Sequence, residues 1–461
     1  MLRDYQKLHL PSIEEALLRY RAALDASDTG TGKTYVSLEI CRRLGLVPLV
    51  VGPRSSKAGW MAAAAVVGVD IEFVNYEKVR GKREIILQPC PRCKLNGRQI
   101  QGPHFKRLVN NDWITEVPYG KGSLIRWKNG YALVIFDEVH RCGGETSLNG
   151  KLLIAARRQA QYVLALSATA ADDPRQMKAL GYTLGLHDMS SVRQPKRAYR
   201  NWLLRHGCKP GVFGGFAFTD DPIEKEKVFR KLHGEIFPVH GGRMRKIEIP
   251  NFPKTVLDVK LLYDDTGTAA AIAEELHGLD GEKTPDLKAI VKCRLAMERL
   301  KVSHFVDLAE DYVRSGSVVI FVNFTDPLFQ LVELLKKKFG TDQVGFISGT
   351  QIGKQGEAER WDYLARFQQN KFPLLVANNQ AGGESANMHD PTGKVERTTL
   401  ISPPESGRQF KQILGRVNRD GGAYSLQLSA YFAGTYEEKV ADRCKQKNFN
   451  LDLLNDADLL V

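Results

Sequence analysis

Cysteine is scarce: seven residues among 461, at positions 41, 90, 93, 142, 208, 293 and 444. An odd, scattered count on a chain of this length excludes a secreted disulfide framework and points to a reducing, cytosolic-type compartment. Long hydrophobic runs are missing as well. Runs such as Met61 to Val67 and Tyr131 to Phe136 fall far short of the ~18 residues that a membrane span needs. The opening residues include Arg3, Asp4, Lys7, Glu14 and Glu15, so no signal-peptide stretch is expected there. Low-complexity tracts are absent, and 43% apolar with 26% charged residues excludes a collagen-like, coiled-coil or disordered chain. Acidic residues are in deficit, 53 against 66 basic ones, for a formal charge of +13. That excess is compatible with a nucleic-acid partner without establishing one.

What is present is alternation. Apolar runs at Ala22–Ala26, Val47–Val51, Tyr131–Phe136 and Tyr162–Leu166 read as buried parallel strands, and Lys33–Leu44 between two of them has helical spacing stopped by Gly45. The pattern returns at Ser317–Val322, Val344–Ile347, Leu374–Ala377, Thr398–Ile401 and Leu426–Phe432, with a helix predicted over Leu328–Phe339. Strands alternating with helices imply βαβ units. The expected class is therefore α/β, two parallel-sheet lobes in tandem with a mainly helical insertion region. The expected division is a first lobe over 1–186, with a Cys-containing basic insertion near 80–125. A basic helical insertion over 187–250 follows, then a linker and helical insertion over 251–310 and a second lobe over 311–461.

The strongest local motif is Asp28-Thr29-Gly30-Thr31-Gly32-Lys33-Thr34, preceded by Ser27, after a strand and at the start of a helix. Glycines let backbone wrap anionic oxygens, and a helix N-terminus presents free N–H groups. Lys33 would reach the β- and γ-phosphates of ATP, and the Thr34 hydroxyl would bind magnesium. A glycine-rich turn without catalytic meaning is the alternative. Asp137-Glu138-Val139-His140 ends an apolar strand about a hundred residues later. There Asp137 would hold magnesium and Glu138 would polarise an attacking water. Ser167-Ala168-Thr169 closes the next strand.

In the second half, Gln412-Ile413-Leu414-Gly415-Arg416-Val417-Asn418-Arg419 has the Gln-x-x-Gly-Arg-x-x-Arg form. Gln409, Gln412, Arg416 and Arg419 are predicted to share one face of a helix beginning near Ser406. Phosphoryl transfer spreads negative charge, and an arginine finger supplies ~10³–10⁵ in rate. A basic surface helix is the alternative.

Taken in order, these segments resemble the motif series of superfamily 2 helicases: Leu2–Gln6, Asp28–Thr34, Val51–Pro53 with Trp60, Asn75–Glu77, Asp137–His140, Ser167–Thr169, Gln380–Asn387 and Gln412–Arg419. The series spans nearly the whole chain. Within the superfamily it is most similar to Swi/Snf-type translocases of the annealing-helicase and fork-remodelling branch. The resemblance rests on the Arg-x-Tyr-Gln opening, the Gly382-Gly383…Asn387 form, the segment Tyr199–Phe218 and the basic Met244-Arg245-Lys246.

The resemblance implies RecA-like lobes and an ATP hydrolase that uses magnesium. Gln6 would read adenine, and Gly383 and Gln412 would join the nucleotide site. Arg54, Ser55, Asn75, Lys78, Ser348, Gly349 and Asn387 would lie along a nucleic-acid track. Ser27 stands where a glycine is usual. Asn418 departs from the histidine of remodellers, and no chromatin-reading domain is seen. A stripped-down motor of the kind that bacterial or viral genomes encode is therefore expected, in the cytoplasm, with the nucleus left open. Its expected substrate is duplex or branched DNA. RNA is the alternative track, and a non-hydrolysing nucleic-acid scaffold is the alternative of another class.

Other signals are weaker. Cys90 and Cys93 supply two of the four ligands that structural zinc needs, with His104 and Cys142 at no standard spacing, so zinc is not expected. His140 is either a relay between ATP state and track or a hydrogen-bonded histidine at a strand end. Tyr199 and Trp202 among the arginines of 193–209 either stack on bases or form the buried face of a charged helix.

Overall fold

Apolar runs that are polar at neither face bury only when helices cover both sides of a sheet. The computed structural model shows that arrangement twice. It describes residues 2–86, 106–119, 122–144, 146–189, 197–211, 215–280, 286–351, 353–379, 382 and 387–458. In chain order the strands are β1 (Ala22–Asp25), β2 (Leu49–Gly52), β3 (Glu72–Asn75), β4 (Arg83–Ile86), β5 (Lys106–Val109), β6 (Ile114–Tyr119), β7 (Gly122–Trp127), β8 (Leu133–Asp137), β9 (Tyr162–Leu166), β10 (Cys208–Pro210), β11 (Phe216–Phe218), β12 (Gly241–Gly242), β13 (Thr255–Leu262), β14 (Ser317–Val322), β15 (Val344–Ile347), β16 (Leu374–Asn378), β17 (Arg397–Ile401) and β18 (Ser425–Phe432).

Two compact units divide the chain: Met1–Ser27, Gly32–Met244 and Asn450–Val461 form one, and Asp28–Thr31 with Arg245–Phe449 the other. The first holds a six-stranded sheet in the order β12-β1-β9-β8-β2-β3, every pair parallel. Strand periodicity sorts its side chains onto two cores. Leu24, Val51, Phe136 and Val163 enter one, and Ala23, Val50, Ile135 and Leu164 enter the other. The helix Lys33–Leu44 starts at Gly32 and ends at Gly45, whose left-handed φ of 63° lets its N–H return to the Cys41 and Arg42 carbonyls.

The basic stretch after residue 187 builds helices Arg197–Arg205 and Pro222–Ile236 and the antiparallel pair β10–β11. Trp202, Phe229, Leu232 and Ile236 join the same core as Val163, as do Leu453 and Leu454. The described parts of the 80–125 segment are two further antiparallel pairs, β4–β5 and β6–β7.

The second unit holds a parallel sheet of order β13-β18-β17-β14-β16-β15. Val318, Ile320 and Val322 face one core and Val319 and Phe321 the other. The charged segment before it forms helices Thr268–Asp280 and Leu287–Val313. The α/β expectation of two parallel-sheet lobes with helical additions is met. No helix among the described residues is long and apolar enough to cross a membrane.

Candidate nucleotide and nucleic-acid site

Ligands of parallel α/β sheets bind at the C-terminal ends of the strands. In the first sheet those ends carry the candidate residues in spatial order. β1 leads to Ser27–Thr34, its neighbour β9 to Ser167–Thr169, and β8 to Asp137–His140. β2 then leads to Arg54 and Ser55, and β3 ends on Asn75.

The loop after β1 has the geometry of an anion cradle. Gly30 and Gly32 hold φ of +87° and +89°, a region that side chains with a Cβ rarely enter. Thr31 Oγ1 donates to the Asp28 carbonyl at 2.8 Å. No side chain caps the helix that begins at Lys33, so its first N–H groups suit an anion. Lys33 Nζ lies 2.7 Å from the Ser27 carbonyl, over the loop. A Cβ at Gly32 would collide with Gln6 Nε2, which places the Gln6 amide against the loop. Gln6 Oε1 in turn accepts the Arg3 N–H at 2.9 Å.

Beneath the loop lies a buried network that sequence reasoning missed. Asp25 is fully buried and accepts the Ser27 N–H at 3.0 Å and the Ser27 hydroxyl. His9 Nε2 stands 3.4 Å from both Asp25 Oδ1 and Ser27 Oγ. Ser27 Oγ also accepts the Met244 N–H at 2.8 Å. Burial opposes the charged form of Asp25, yet His9, Lys33 and Ser27 together hold its pKa below the ordinary value. A serine at position 27 thus ties the loop to the strand below and to the β12 end of the unit.

Asp137 is held from two sides. Trp60 Nε1 donates to its Oδ2 at 2.9 Å, and the Tyr76 hydroxyl donates to its carbonyl at 2.9 Å. Loss of solvent, then Glu138, pushes the Asp137 carboxyl up, against the pull of Trp60, Ser56 and Lys33. Glu138 adopts a left-handed backbone, φ 54° and ψ 53°, a strained conformation of the kind that clusters at functional sites. Its Oε2 lies 3.3 Å from His140 Nδ1. The same nitrogen is 3.2 Å from Ser167 Oγ and 3.4 Å from Thr169 Oγ1. His140 therefore joins the acidic pair to the Ser-Ala-Thr loop, whose Ala168 carbonyl accepts Asn455 Nδ2 at 2.8 Å.

The remaining first-unit candidates, Arg54 and Lys78, are exposed at the same sheet edge, and Ser55 is half-buried. The Asn75 side chain caps its own helix, accepting the Lys78 N–H at 2.7 Å.

In the second unit, the helix Gly407–Val417 is capped by Ser406, whose side chain accepts the Gln409 N–H at 3.4 Å. Gln409, Gln412 and Arg416 share a face of it, separated by three and four residues. Arg419 does not, because the helix stops at Val417 and Asn418 is extended. The one-face expectation is corrected there. Asn418 is occupied differently: it accepts Lys246 Nζ at 2.8 Å and donates to the Pro253 carbonyl at 2.9 Å. The residue that departs from the remodeller pattern thus fastens the linker to the arginine helix. Ser348 follows β15 and is buried, its hydroxyl accepting from the Thr350 N–H and hydroxyl. Gly349 and Asn387 are exposed. Gly383, Cys90, Cys93 and His104 lie outside the described residues. Cys142 is buried and its thiol is pushed up to about 12 by burial, which disfavours the thiolate that a metal ligand needs.

Stacking of Tyr199 and Trp202 on bases is overturned. They are 3% and 1% exposed and pack in a ring cluster with His187 and His206. The spacing 199, 202, 203, 206 was itself the signal of a buried helix face.

No family model matches the chain. A curated protein of Acanthamoeba polyphaga mimivirus, "Putative ATP-dependent RNA helicase L364", is 28% identical over 484 aligned residues, covering 99% of this chain and 84% of its own length. The similarity to that relative runs along nearly the whole chain, as does the series of segments that resembles the superfamily 2 motifs. A solved structure of S. cerevisiae Dbp5 bound to RNA and ADP BeF3 matches at 12% identity and a TM-score of 0.46, over 98% of this chain and 94% of that one. That likeness is too slight to bear on substrate. The expectation of a DNA partner is overturned by the mimiviral relative, whose name is that of an RNA helicase. The Swi/Snf branch and DNA remodelling gain no support from either comparison. A magnesium nucleotide would fit the residues present, since the loop is bent at two glycines, the helix start is uncapped, and Lys33, Thr34 and Asp137 offer a suitable donor set.

Proposed function

We propose that this protein is an RNA-dependent ATPase of helicase type. The observation that carries the reading is the match to the mimiviral relative along 99% of the chain. In this reading Lys33 holds the β- and γ-phosphates, and Asp28–Thr34 wrap them. Thr34 and Asp137 would hold magnesium, which would supply positive charge against the phosphates. Glu138 takes the proton of the attacking water, and His140 passes its state to Ser167 and Thr169. Gln6 reads adenine, and Gly383 and Gln412 complete the nucleotide contacts. Arg416 and Arg419 supply positive charge to the transition state. Arg54, Ser55, Asn75, Lys78, Ser348, Gly349 and Asn387 lie along the RNA track; Asn75 and Ser348 act there by shaping backbone, because their side chains are engaged internally.

The test is ATP turnover with single-stranded RNA, duplex RNA and the matching DNAs. Stimulation by RNA above DNA is expected, and stimulation by DNA alone overturns the reading. Lys33→Ala, Glu138→Gln and Arg416→Ala are each expected to abolish turnover while leaving RNA binding largely intact. Normal hydrolysis in Arg416→Ala would remove the arginine from its role.

A further inference from the structure

The strand β13 is the outermost of the second sheet and pairs only with β18 among the described strands, in unbroken parallel register from Thr255↔Ser425 to Leu262↔Phe432. Its outer side is open. Positions 255–258, 260 and 261 are exposed, and Val256, Leu257 and Leu261 are 44%, 53% and 39% accessible, with Tyr263 beyond them at 69%. A regular, largely apolar edge strand is a template for pairing, and proteins usually blunt one with proline, a bulge, a very short strand or charge of one sign. β13 has no proline and no bulge, and its two charges, Asp258 and Lys260, are of opposite sign.

The backbone fixes which residues face outward. The Lys254 and Leu262 carbonyls accept from Ser425 and Ala433 N–H groups of the β18 side. Even-numbered residues therefore pair inward, and Thr255, Leu257, Val259 and Leu261 turn their backbone groups outward. The Val259 N–H is met at 2.7 Å by the carboxylate of its own neighbour, Asp258.

We propose that β13 is a self-association edge that takes a second copy of this chain, antiparallel about a two-fold axis at Val259. A two-fold axis through an antiparallel pair of identical strands sets one residue opposite itself. Centred on Val259, it sets Asp258 opposite Lys260 twice, Leu257 opposite Leu261 twice, and Val256 opposite Leu262 twice. The other centres within the exposed run fail. At Asp258 or Lys260 a charge meets its own copy. At Leu257 the axis sets Lys254 against Lys260, and at Leu261 it sets Asp258 against Asp264. At Thr255 and at Val256 it sets Pro253, which has no N–H, against the outward backbone of Leu257 and of Val259 respectively. Charge complementarity and one proline therefore select one register and one partner, the strand itself. The contact is isologous and closes at two copies, as a two-fold interface must, and it joins two six-stranded sheets edge to edge.

Sedimentation of the full chain over a wide concentration range tests this. A monomer–dimer equilibrium is expected. Asp258→Lys or Lys260→Asp alone places like charges opposite each other at two points and is expected to weaken the dimer about tenfold. The double variant Asp258→Lys/Lys260→Asp restores the pairing and the dimer. Mixing the two single variants is expected to give a heterodimer that neither forms as well alone. A monomer at every concentration, an extended peptide of another protein bound in place of a copy, or a dimer indifferent to both reversals overturns the proposal.

Discussion

Trp60→Phe isolates the hydrogen bond that holds the Asp137 carboxylate. Trp60 Nε1 donates to Asp137 Oδ2 at 2.9 Å, and Trp60 itself is 1% exposed. A hydrogen bond to a charged group contributes about 1.5–3 kcal/mol, and ~1.4 kcal/mol is tenfold in an equilibrium. Loss of the donor is therefore worth roughly 10- to 150-fold in holding the ionised, oriented carboxylate, in line with the ~10–100-fold cost of losing an outer partner of a metal ligand. The expected result is a magnesium half-saturation for ATP turnover raised at least about tenfold, with a smaller fall in the rate at saturating magnesium. Tyr76→Phe is the matched control. It removes a bond to the Asp137 carbonyl, also 2.9 Å, and leaves the carboxylate alone, so about 1 kcal/mol of stability is lost with the magnesium dependence unchanged. An unaltered magnesium requirement in Trp60→Phe, or the same change in both variants, refutes the reasoning.

Three other outcomes are expected. Lys301 is fully buried, with Nζ 2.6 Å from Ser402 Oγ and 2.5 Å from Glu437 Oε1; Lys301→Met strands the Glu437 carboxylate, while Ser402 keeps its bond from Asn323, and should cost about 3–5 kcal/mol in denaturant unfolding. Burial holds the His187 imidazole at about 4, below the ordinary 6.5. Its neutral form therefore stabilises the fold fully above pH 6.5, and as pH falls toward 4 the unfolded chain takes a proton that the folded chain refuses. About 3 kcal/mol is lost across that window, and His187→Gln should flatten the pH dependence of unfolding there. Trp202→Ala should destabilise by about 3–5 kcal/mol while the folded protein binds RNA with unchanged affinity, since the ring lies inside the core; a selective loss of RNA binding would restore the stacking idea.

The position of the glycine-rich loop between β1 and its helix, that of the acidic pair at the end of β8, and nine of the twelve strands of the two large sheets were legible because each is a contiguous pattern. Lys33–Leu44 and Ser317–Val322 carry their periodicity and their stops within a few residues. β3, β12 and β13 were not legible, since an edge strand half in water or a two-residue strand has no continuous apolar signature. The supports of the site were hidden for another reason. Trp60 meets Asp137, Met244 meets Ser27, and Asn455 meets Ala168 only through the fold. Arg419 misled because a motif's spacing continues past the point where its helix ends, and Trp202 was left between two readings because its basic neighbours competed with an apolar stripe already in the sequence.

The first unit is discontinuous in the chain. Leu453 and Leu454 sit in its core, Arg243 pairs with Asp456 and Asp458, and Arg230 and His233 bond the Ala457 and Leu454 carbonyls. A ribosome delivers those residues only after all of Arg245–Phe449. The nascent first lobe must therefore wait with an apolar seam uncovered, and it becomes whole only when the inserted lobe has left the exit tunnel. Cutting after Met244 would release a fragment with that seam permanently open, so the first lobe is to be excised with its late segment supplied, in cis or as a peptide.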